Sequence, residues 1–102
     1  MPPINATVNW DAGKSKGTVD DIRVPAANGA TVINWSCGTN VVSFGITGLD
    51  TSEFSPAASN GQVTNFSTTD TNEQAKTYTY TVSATHQDGR TSSHDPKIEN
   101  GT

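Results

Sequence analysis

The sequence predicts an all-β domain, a single immunoglobulin-like β-sandwich of about seven to eight short strands. Three observations predict it. Val, Ile, Thr and aromatic residues recur in short runs with period two, the spacing that places alternate side chains on one face of a strand. Gly, Asn, Asp and Pro clusters separate those runs at regular short intervals. The composition, 31% hydrophobic and 16% charged within 102 residues, has too many regularly placed apolar residues for disorder. It is also too rich in β-branched residues and turn formers for a helical bundle.

The elements follow in order. Ile4 to Trp10 reads as a first strand, and Asp-Ala-Gly-Lys-Ser-Lys-Gly behind it as a polar loop. Thr18 to Val24 reads as a second strand with Ile22 and Val24 on one face, stopped by Pro25 and an Asn28-Gly29 turn. Thr31 to Cys37 places Thr31, Ile33, Trp35 and Cys37 on one side, and Asn40 to Leu49 carries Val42, Phe44 and Ile46; both read as core strands. Leu49 to Gly61 reads as loop with one helical turn, and Gln62 to Ser67 as a short strand. Asp70 to Gln74 is polar loop. Lys76 to His86 is the longest strand, with Lys76, Tyr78, Tyr80, Val82, Ala84 and His86 on the inward face. Asp88-Gly89 suits a two-residue type I′ turn, and Arg90 to about Ile98 closes the sheet. That turn pairs Gln87 with Arg90 and Val82 with Asp95, so Asp95 is expected on the inward face. No internal repeat or second domain is visible: residues 1–102 read as one unit with one modest core.

Charge and cysteine count narrow the function classes. A net charge of −4 and a pI near 4.8 leave no basic patch for nucleic acid or an anionic membrane, and neither is expected as a partner. Cys37 is the only cysteine, so it is read as a buried, inert thiol. The segment MPPINATVNW lacks the charged and apolar stretches of an export signal, which makes the cytoplasm the default location.

Several motifs carry bland readings beside their sharp ones. Gly13-Lys14-Ser15 resembles the end of a phosphate loop but lacks the upstream Gly and a βαβ unit, so it reads as a solvated turn. Sequons at Asn5, Asn34, Asn65 and Asn100 arise by chance in a chain this rich in Asn and Thr. His86 and His94 have no third metal ligand nearby in sequence, and neither metal nor cofactor is expected. Ser93-His94-Asp95 are consecutive strand residues that face alternately, which prevents a catalytic triad. Trp10 and Trp35 read as core anchors rather than as a sugar-stacking platform. Lys76, at the start of an inward face, either snorkels to solvent or is held by a carboxylate, and partial burial would make its amine a nucleophile.

The closing residues, SSHDPKIENGT, contain Asp95-Pro96, the most acid-labile kind of peptide bond. With the Ile33-Asn34-Trp35 strand, Phe44 to Leu49 and the inward Lys before a Tyr-rich strand, this ending resembles the DP-EP family of small bacterial self-cleaving β-sandwich proteins. The resemblance implies an autocatalytic aspartic-type endopeptidase that cuts its own Asp95-Pro96 bond without a cofactor and retains residues 96–102 as a bound strand. It also implies a lysine that links to the freed Asp95, within the chain or between copies. Lys76 is the matching amine, with Lys14 and Lys16 as competitors. The family's water-activating acid has no matching motif; Glu73 and Asp70, just before Lys76, are the candidates, and His94 is a further candidate site residue. Along a regular strand Lys76 and Asp95 stand about 20 Å apart, so contact requires the tail to leave the hairpin near Ser92, and Pro96 favours such a bend. The competing readings are a non-enzymatic immunoglobulin-like binding or structural module, and a domain with a Lys-Asp or Lys-Asn isopeptide but no cleavage.

Overall fold

The computed structural model describes residues 3–101. Among them eleven strand segments are present: β1 (Ile4–Asp11), β2 (Lys16–Thr18), β3 (Ile22–Val24), β4 (Thr31–Cys37), β5 (Val41–Thr47), β6 (Phe54–Ser55), β7 (Asn65–Asp70), β8 (Thr77–Thr79), β9 (Thr81–His86), β10 (Thr91–His94) and β11 (Lys97–Asn100). The fold is all-β. One layer is a five-stranded sheet in the order β2-β1-β4-β7-β6. The other joins two three-stranded sheets, β10-β9-β5 and β3-β11-β8, through two runs of chain that pass from one to the other.

The larger strand count has a simple cause. The long run from Thr77 to His86 is interrupted at Tyr80, and the run from Thr91 to Asn100 at Asp95-Pro96, because both change sheets there. Pro96 has no N–H for a ladder, so the interruption falls where a ladder bond cannot form. The expected second strand is likewise split: Lys16–Thr18 pairs with β1, and Ile22–Val24 pairs with β11. The short strand expected over 62–67 forms at Asn65–Asp70, with Val63 bridged to Phe44. In the loop before it, the Phe54 N–H reaches the Asp50 carbonyl at 2.9 Å, which closes one helical turn before β6.

Period-two burial builds the core. Ala6, Val8 and Trp10 of β1, Ile33 and Trp35 of β4, and Tyr80, Val82 and Ala84 point inward, with Trp35 1% exposed. The Trp35 indole N–H donates to the Tyr80 hydroxyl at 3.1 Å, which satisfies the polar end of two buried aromatic side chains. Val42 does not join its expected partners. A bulge between Val41 and Ser43 shifts the register against β9, so Val41 is buried while Val42 is 50% exposed and Phe44 and Ile46 stay inside.

The hairpin register also differs from expectation. His86, not Gln87, pairs with Arg90: the His86 N–H donates to the Arg90 carbonyl at 2.7 Å, and Gly89 has φ of 95°. The connection is thus a three-residue loop with a left-handed glycine, and the ladder places His94, not Asp95, opposite Val82. A slip of one residue exchanges the two faces. His94 is half-buried, whereas Asp95 is exposed, which overturns its expected inward facing.

β11 restores the inward alternation as Pro96, Ile98 and Asn100, all buried. It is the middle strand of its sheet, antiparallel to β8 and parallel to β3.

Candidate functional site

The Asp95-Pro96 bond lies where the chain leaves β10 and enters β11, with the Asp95 side chain toward solvent and the Pro96 ring inside. Both neighbours are held. The Thr81 hydroxyl donates to Asp95 Oδ1 at 2.9 Å. Past the bond, the Tyr80 N–H donates to the Pro96 carbonyl at 3.1 Å, and the Lys97 N–H donates to Asp21 Oδ1 at 3.0 Å. Before it, His94 Nε2 lies 3.3 Å from the Val19 carbonyl. The segment between β2 and β3 therefore runs alongside the bond. Its Asp20 and Asp21 also line an open pocket of about 430 Å3 shared with the face of β1 from Ile4 to Thr7. Burial pushes the Tyr80 phenol well above its ordinary range, with the nearby Asp21 carboxylate adding to the shift. Tyr80 accordingly stays a neutral phenol whose oxygen accepts from the Trp35 indole.

Asp21 was not singled out by sequence reasoning. It stands 76 residues from Lys97, and only the parallel pairing of β3 with β11 brings the two together. No local pattern marks such a pairing.

The other sequence-predicted residues gather at the far end of β11. Lys76 and Asn100 exchange both backbone hydrogen bonds, Lys76 N–H to the Asn100 carbonyl at 3.2 Å and Asn100 N–H to the Lys76 carbonyl at 2.9 Å. Asn100 lies five positions from Asp95, so Lys76 stands on the order of 16 Å from it at roughly 3.3 Å per residue. The tail does leave the hairpin, but it runs on along β8 rather than across it. Lys76 is exposed, with Nζ 5.4 Å from the centre of the Tyr78 ring. Asp70 is fully buried at the end of β7, where Oδ1 accepts from Asn100 Nδ2 at 2.8 Å and from the Asn72 N–H at 2.9 Å. Glu73 is exposed, and its N–H donates to Oε1 of the buried Glu53 at 2.6 Å. Asp95, Pro96 and His94 thus share one end of the tail; Lys76, Asp70 and Glu73 share the other.

The Asp70 end is electrostatically costly. Burial raises the Asp70 pKa, the hydrogen bonds from Asn100 and Asn72 oppose that rise, and the Glu53 charge reinforces it. Asp70 Oδ2 and Asn100 Oδ1 are buried without hydrogen-bond partners. A proton on the Asp70 carboxyl supplies a donor between two side chains already in contact.

Fold and geometry together define a small all-β sandwich whose final described strand is central to one sheet. No protein-family model and no curated protein matches this chain.

Proposed function

We propose that this domain processes itself by hydrolysis of Asp95-Pro96 and keeps the severed tail strand in place, as the resemblance to the DP-EP family implies. The observation that carries the reading is the placement of this labile bond between two carboxylates: Asp95's own, in solvent, and Asp21's, on the peptide N–H that follows Pro96. In the first step an Asp95 carboxylate oxygen bonds to the Asp95 carbonyl carbon, the C–N bond to Pro96 breaks, and the proline nitrogen takes up a proton. Asp21 stands one residue from that nitrogen and is the candidate proton carrier. Water then opens the cyclic anhydride and leaves Asp95 as a free C-terminus. Capture by an amine instead of water gives an amide. Within one chain Lys76 is too distant for this, so the cross-linking branch joins separate copies.

The test is the amino-terminal sequence of refolded protein over time. A second terminus reading Pro-Lys-Ile-Glu-Asn is expected in the parent. Asp95→Ala should give none, and Asp21→Asn should slow its appearance by about 10²-fold, the usual worth of one general acid or base. A second reading, a non-enzymatic β-sandwich module, is favoured by the exposure of Asp95, since a solvated carboxyl gains nothing from desolvation. A parent chain that still shows one terminus after prolonged incubation at mildly acidic pH overturns the self-cleaving reading.

A further inference from the structure

Asn100 and Asp70 form a buried polar pair within the hydrophobic core, and the residue directly across the ladder from Asn100 is a lysine. Opposed residues of an antiparallel pair project from the same face with Cβ atoms roughly 5 Å apart. The flexible four-carbon stem of lysine matches that gap. Lys76 Nζ lies 5.4 Å from the centre of the Tyr78 ring, two residues along that face, so a change of its side-chain rotamer brings it to Asn100; Tyr78 stacks edge-on against the buried Phe54 with ring centres 5.2 Å apart. The Asn100 amide thus lies opposite a lysine on the ladder and has a carboxyl bonded to its nitrogen.

We infer that Lys76 and Asn100 are a site of intrachain isopeptide formation, with Asp70 as the proton carrier, which fastens the tail strand covalently to the residue that leads into β8. The exposed Nζ first gives one proton to solvent, its lone pair then bonds to Asn100 Cγ, the Cγ–Nδ2 bond breaks, and Nδ2 leaves as ammonia. The second proton that Nζ sheds reaches Nδ2 through the Asp70 carboxyl, which ends in the protonation state it began in. Nothing is oxidised, and no water is consumed. Asp70 Oδ1 already touches the departing nitrogen at 2.8 Å, and the raised pKa of this carboxyl fits a group that must hold a proton in turn. Exposure of Lys76 gives the ammonia a path to solvent.

The inference does not rest on the Asp95-Pro96 reading, and its outcome is separable from it. The intact full-length protein, weighed under denaturing conditions, is expected to be lighter than its sequence by one ammonia. A digest should yield a branched peptide that joins the Lys76 and Asn100 segments. A succinimide at Asn100-Gly101 would also lose one ammonia, but hydroxylamine cleaves it and leaves an isopeptide intact. Lys76→Arg keeps the charge at an exposed position, so it should fold and retain its ammonia; Asp70→Asn should do the same. A parent at full sequence mass after long incubation overturns the inference, and so does ammonia loss that persists in Lys76→Arg. Asp95→Ala should leave the link unchanged, and in a chain that is both cut and linked, denaturation releases no free tail peptide.

Discussion

Asp70 is fully buried, yet only one of its two oxygens is hydrogen-bonded. Because the fold raises its pKa, the folded chain holds this proton to higher pH than the unfolded chain does. Its contribution to stability is therefore largest in acid. That contribution falls as pH rises from the ordinary value of 3.8 through the raised folded value. Asp70→Asn, compared with its parent in a Lys76→Arg background so that no cross-link intervenes, should gain relative stability across that window and be more stable by about 1 kcal/mol near neutrality. Urea midpoints at a series of pH values measure it, and a difference that shrinks as pH rises contradicts the assignment. Asp50 and Asp88 shift in the opposite sense, lowered first by hydrogen bonds from Ser52 and from the Arg90 N–H respectively, so the absolute stability curve mixes both signs. Subtracting variant from parent isolates Asp70. None of this was legible in sequence, where Asp70 read as the first residue of a polar loop. Its side-chain partner there, Asn100, is 30 residues away.

At the scale of elements, period-two alternation made most strands readable, and β1 and β4 form over the expected residues. What failed was local geometry with more than one solution. Asp88-Gly89 permits a two-residue or a three-residue connection, and the side chains do not choose between them. The Val41/Ser43 bulge is equally silent, since Val41 and Val42 are chemically alike. Glycines mark two tight points. Gly89, at φ 95°, should cost about 1 kcal/mol when changed to Ala. Gly17 of β2 lies so close to β9 that a Cβ there would overlap the Cβ of Ala84, while its N–H donates to Ser92 Oγ at 2.8 Å. Gly17→Ala should therefore destabilise by about 1–3 kcal/mol, and Ala84→Gly should recover part of that loss in the double variant. Additive losses in chemical denaturation would show that the two strands do not meet there.

Across the whole molecule, the all-β class followed from composition and spacing because both faces of a sandwich impose the same alternation everywhere. The site followed only in part. The labile bond was visible as a dipeptide, whereas its partners Asp21 and Thr81 come from pairings that join distant parts of the chain. Those pairings converge on β11. Ile98 is 0% exposed and sits opposite Tyr78 on one side and Ile22 on the other. Ile98→Ala should cost about 2–5 kcal/mol in urea unfolding, the range for a large core residue truncated to Ala. A cost below 1 kcal/mol would mean that the sheet tolerates a loose tail. The position of β11 also bears on how the domain is made. A ribosome delivers β3 and β8 well before it delivers the strand that fills the gap between them. Until β11 emerges, the nascent chain carries two vacant strand edges, each a template for an intruding neighbour. Closure of this sandwich is consequently an event that follows synthesis of its final described strand, and the interval before it is when the chain is most exposed to mispairing.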